Sequence, residues 1–112
     1  MLPVLLEVNV GGEATKSGIA LPDLDGLADH VVALCPHLAL RGVLTVPPYD
    51  PDPERSRPYF AALREAAEPL SAGLGLPRFE LSMGMSEDFE VAIEEGATIV
   101  RVGTAIFGAR EE

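Results

Sequence analysis

Two short stretches, Ser82-Met83-Gly84-Met85-Ser86 and Arg101-Val102-Gly103-Thr104, hold residue types that bind a phosphate monoester. Each combines a hydroxyl with a glycine, which lets backbone N–H groups approach a ligand closely, and the second adds a guanidinium. A third stretch, from Gly11-Gly12 to Ser17-Gly18, contains Lys16, the only lysine of the chain. Lys16 has two readings, a contributor to a site at the end of the first strand or a solvated loop lysine. Ser86 also has two, an anion ligand at a helix N-terminus or that helix's cap alone.

Other chemistries find less support. His30 and His37 have no carboxylate or cysteine at ligand spacing, so no metal site is expected. There is no G-x-S-x-G elbow and no Walker loop, and no catalytic residue is assigned. Cys35 is alone, which leaves no disulfide framework, fits a reducing compartment and makes it a plain buried residue. Asp23, Asp25, Glu94 and Glu95 read as solvated helix faces.

The elements that would position these groups follow from periodicity. Val4–Val10 is a near-continuous apolar run, the pattern of a parallel strand buried on both faces. Leu24, Leu27, Ala28, Val31, Leu34 and Cys35 recur at helical spacing between Pro22 and Pro36. Residues 38–46 are a second buried strand, followed by a polar, proline-rich loop over 49–57. Ser56 and Pro58 open a second helix with Phe60, Leu63, Ala67 and Leu70 on one face, which Pro69 should kink or end. A short third strand spans 78–82. Ser86 then caps a third helix with Phe89, Ile93 and Ala97 on its core face, and residues 98–102 form a fourth strand.

The order β-α-β-α-β-α-β, without hairpin signals, implies an α/β fold with parallel strands and right-handed crossovers. Its sheet is either a small open one or half of a barrel, with function collected at the carboxyl ends of the strands. Chain length, 112 residues, allows one domain, spanning 1–112. The net charge of −10, with no basic run, argues against nucleic acid and against an anionic membrane surface. No apolar stretch reaches the length of a membrane span and no leader opens the chain, so a cytoplasmic location is expected.

Taken in order, LLEVNVGGEATKSGI, RGVLTVPP and LSMGMSEDFEVAIEEGATIVRVGTAIFGAR resemble the second half of the pyridoxal phosphate homeostasis protein family. That family is similar in fold to the N-terminal barrel of alanine racemase. The match runs from about Pro3 to Arg110, and S-M-G-M-S-x-D together with R-x-G-T-x-I-F-G is its most specific part.

The resemblance implies a parallel β/α barrel of the alanine racemase N-terminal type that binds pyridoxal 5′-phosphate. This chain would hold its last four strands, as a half barrel. By matching motif, Ser86, Gly103 and Thr104 would bind the cofactor phosphate, with Ser82, Met83 and Met85 lining the same turn. Arg101 would lie near the pyridine nitrogen, where a cation disfavours ring protonation and weakens the electron sink.

The family's Schiff-base lysine belongs to its first strand, and its Gly-Glu-Asn and His-Phe-Ile-Gly-x-Leu-Gln segments to the same half. None of these matches here, so a truncated chain is expected, and Lys16 would make a secondary contact at most. The implied role is non-catalytic cofactor homeostasis. The implied partners are the small molecule, the N-terminal half barrel and pyridoxal-phosphate-dependent apoenzymes. The alternatives are a racemase-like enzyme of the same barrel class and an inactive fragment. A racemase would need a second acid/base tyrosine, and Tyr49 and Tyr59 fall in or beside the loop after the second strand.

Overall fold

A computed structural model describes residues 1–12, 17–75 and 79–103. Leu2–Asn9 forms β1, Ile19–Ala20 β2, Leu38–Leu44 β3, Glu80–Met85 β4 and Ile99–Arg101 β5. All adjacent pairs are parallel, in the order β2-β1-β3-β4-β5. This is the expected four-strand sheet with one addition, the two-residue β2 pairing with Val8 and Asn9 at the end of β1. So short a strand, directly after Gly18, carries no periodic signal in sequence.

Helices α1 (Leu24–Leu34), α2 (Arg57–Leu74) and α3 (Phe89–Glu94) pack against this sheet. Pro22 stands in a 3-10 turn that leads into α1, whose Leu24, Ala28 and Val31 are buried at helical spacing. Phe60 and Leu63 of α2 are fully buried against Val8, Val43 and Met83 of the sheet. Each such side chain contributes roughly 1.5–3 kcal/mol of transfer free energy. Helix α2 passes through Pro69 without ending. The exposed proline removes one backbone bond, but Leu70 and Leu74 beyond it continue the apolar stripe onto the core. Gly75, at φ +64°, ends the helix in the left-handed conformation.

In β1 only one face is fully buried, contrary to the two-sided burial expected of it, whereas β4 is buried on both faces from Leu81 to Gly84. In β1, Leu6 and Val8 alternate into the core while Leu5, Glu7 and Asn9 remain half-buried. At the edges Leu2 is 63% and Ile99 39% exposed. The residues lining this open side include Val4, Leu5, Arg41, Glu80 and Ile99, around a hollow of about 360 Å³.

Two irregularities shape the sheet. Val4 and Leu5 of β1 pair with Leu40 and Gly42, so Arg41 is an extra residue in β3. The bulge explains why Leu40 and Val43, three apart, both enter the core. At Gly42 the strands come so close that an added Cβ would collide with the Glu80 backbone carbonyl.

Arginines join α2 to α3. Arg57 donates to Glu54 (2.9 Å), Glu94 (2.6 Å) and Glu95 (2.8 Å), and Arg64 donates to the Glu95 carboxylate (2.7 Å) and carbonyl (3.2 Å). The Glu95 side chain is only 14% exposed. It is therefore no solvated helix face but the link between two cations and the end of α3. Hydrogen bonds from Arg57 and then Arg64 hold its carboxyl below the usual range, and Arg57 does the same to Glu54.

Candidate functional site

The third strand runs further than its sequence suggests, and this sets the site. The structure places Ser82, Met83, Gly84 and Met85 inside β4 rather than in a turn after it. Across from β4, Ser82 pairs with Ile99 and Met85 with Arg101, three residues against two. Gly84 sits within this bulge at φ +103°, a backbone that side chains with a Cβ rarely adopt. A Cβ there would lie 2.7 Å from the Ala92 methyl, so α3 rests directly on the bulge.

The register brings two strand ends together. With Met85 opposite Arg101, Ser86 and Gly103 follow as the chain leaves β4 and β5 at the same rim. Met85 is 41% exposed, Ser86 half-buried, and Gly103 exposed, with nothing within 4 Å of where a Cβ would stand. Ser82 is 6% exposed within the strand. Met83 is set apart from these. It is fully buried in the hydrophobic core with Phe60 and Leu63, so its side chain fills the core and does not line the rim turn. Alternation along a strand separates it from Ser82. Thr104 and Lys16 lie outside the described residues.

Ser86 does not cap α3. That helix starts at Phe89 and has only six residues, so Ser86 belongs to the preceding turn. Asp88 holds this turn instead. Its Oδ1 accepts the Met85 N–H at 2.8 Å while its own N–H donates to the Met85 carbonyl at 3.1 Å. In the same helix Val91 and Ala92 are buried and Ile93 is 53% exposed, which removes Ile93 from the expected core face, while Phe89 is half-buried and Ala97, beyond the helix, packs against the core.

Arg101 reaches past β4 to the end of β3, where its Nη2 donates to the Thr45 carbonyl at 3.3 Å. In sequence Asp88 stands only as the last residue of S-M-G-M-S-x-D, with no role of its own, and Thr45 is not marked at all. An aspartate two residues after a serine in a glycine-containing turn is the signal that could have found Asp88. For Thr45 the signal is the single hydroxyl of residues 38–46, set between Leu44 and Val46. The rim thus gathers a guanidinium, the Ser86 hydroxyl and an accessible glycine backbone, a donor set for an oxyanion or a polarised ring nitrogen, while Ser82 stays buried within the strand. Among the described residues no cluster of three or more His, Cys, Asp or Glu side chains could hold a metal ion.

Comparison with known proteins gives the same architecture a family. The sequence profile described as alanine racemase, N-terminal domain, matches residues 1–111. The chain belongs to this alanine racemase N-terminal domain family. Within it, the chain is 52% identical over 108 residues to the pyridoxal phosphate homeostasis protein of Aquifex aeolicus, covering 96% of this chain and 47% of that protein. PipY of Synechococcus elongatus PCC7942, solved without pyridoxal phosphate, superposes with a TM-score of 0.81 at 33% identity. The PipY structure with the cofactor bound gives 0.75 at 30% identity. Both cover 95% of this chain and 49% of theirs. The chain spans about half the length of the curated relatives it matches. Among the described residues, five parallel strands with helices packed on the sheet make a partial β/α barrel of the alanine racemase N-terminal type.

Proposed function

We propose that this chain forms the phosphate-side half of a pyridoxal 5′-phosphate site and serves cofactor homeostasis in the cytoplasm without catalysing a reaction. The observation that carries the reading is the pairing of Met85 with Arg101, which sets Ser86, Arg101 and Gly103 on one rim. The donor set suits the group: hydroxyl and exposed backbone for a dianionic phosphate, and a guanidinium that keeps a pyridine nitrogen unprotonated. Pyridoxal phosphate, when bound, supplies an aldehyde that captures amines and a ring that withdraws electrons. In this reading Ser86, Gly103 and Thr104 hold the phosphate, and Ser82 and Met85 support the turn. The names of the relatives and the cofactor-bound PipY structure support the cofactor and the homeostasis role.

The covalent lysine would come from a segment corresponding to the other half of the relatives, with Lys16 making a secondary contact. The proposed partners are that half barrel and the apoenzymes that receive the cofactor.

An absorbance titration tests this reading. Pyridoxal phosphate is added to the chain mixed with the amino-terminal half of the Aquifex aeolicus relative, and optical rotation of L-alanine is followed in parallel. Saturable binding that Ser86→Ala weakens about tenfold, without racemisation above free cofactor, is the expected result. Absence of any spectral change, or turnover of L-alanine, would overturn it.

A further inference from the structure

Thr45 lies one residue past β3 and is fully buried, and each of its three polar groups bonds to a different strand. Its Oγ1 donates to the Val8 carbonyl of β1 at 2.6 Å. Its N–H donates to the Ser82 carbonyl of β4 at 3.1 Å. Its carbonyl accepts from Nη2 of Arg101 on β5 at 3.3 Å. A buried hydroxyl without a partner is costly, so the short bond to Val8 fixes where the Thr45 backbone sits.

We propose that Thr45 is a positioning residue for Arg101, holding the guanidinium at the rim through a carbonyl that its own hydroxyl anchors to β1. The inference rests on the reading of this rim as a pyridoxal phosphate site. Arg101 is at an edge of the described sheet, on an exposed three-residue strand, and a long side chain there samples many rotamers unless a fixed acceptor selects one. The Thr45 carbonyl is such an acceptor. It is rigid because the residue that carries it is tied to the strands on both sides of β3. A cation that must face a ring nitrogen needs that selection, since a small misplacement costs much of its electrostatic effect.

Thr45→Ser and Thr45→Ala test this as a pair, because both remove the methyl group and they differ only in the hydroxyl. Side-chain NMR of 15N-arginine-labelled protein follows the Arg101 guanidinium, with Arg57 and Arg64, bonded elsewhere, as internal controls. The expected result is that Thr45→Ala averages the Arg101 signals, Thr45→Ser restores them, and the controls stay fixed. In the mixed sample described above, Thr45→Ala should weaken pyridoxal phosphate binding about tenfold, with Thr45→Ser near the wild type. Arg101 signals unchanged in Thr45→Ala would overturn the assignment. If the unsubstituted sample takes up no pyridoxal phosphate, the functional reading falls, and the arginine signals still decide the role of Thr45.

Discussion

Met85 and Asp88 bond to each other twice, the aspartate side chain accepting the Met85 N–H and the Met85 carbonyl accepting the aspartate N–H. This reciprocal pair closes the turn that carries Ser86 and launches α3. Asp88→Ala leaves the Met85 N–H without its acceptor and should cost about 1 kcal/mol. Asp88→Asn keeps an acceptor oxygen and should cost less. Urea midpoints of the two variants, at equal m-value, check the order.

Gly84 combines a left-handed backbone with a contact that admits no side chain. Gly84→Ala should destabilise the fold by about 2–4 kcal/mol, from backbone strain and from overpacking against Ala92. A thermal melt within a degree or two of the unsubstituted protein would show that the bulge relaxes without cost.

The arginine network makes stability depend on acid. Glu95 and Glu54 have folded-state pKa values below the ordinary 4.5, so their ion pairs contribute fully above that value. The contribution is lost as pH falls through the depressed folded-state values. Urea midpoints measured from about pH 7 down to about pH 3 should therefore fall, and Glu95→Gln should flatten that dependence. An identical acid slope in the variant would remove Glu95 from the explanation.

The proposed phosphate cradle predicts separable losses. Ser86→Ala and Thr104→Val should each weaken pyridoxal phosphate binding by about 1–3 kcal/mol, the scale of hydrogen bonds to a charged acceptor. Absorbance titration of the mixed half barrels measures this. Equal affinity in the double variant would exclude both side chains from the cradle.

The sequence by itself determined the layered plan of this protein. Alternating apolar runs and helical stripes located β1, β3, β4 and β5 and the helices α1, α2 and α3 among the described residues, because burial imposes a period on the residues that fill a core. The stretches around Ser86 and Arg101 stand out in sequence as candidates, since glycine and hydroxyl types are set by local backbone demands. What sequence could not fix was register and reach. Pro69 reads as a helix stop, yet the leucines beyond it pack onto the core and carry the helix through. Ser86 reads as a cap, but Asp88 takes the turn. Met83 reads as part of a rim motif, and strand alternation sends it into the core. Tertiary structure alone decided that Met85 faces Arg101 and that Thr45 joins three strands, because those relationships depend on which carbonyl each strand offers its neighbour, and no local pattern of side chains encodes that.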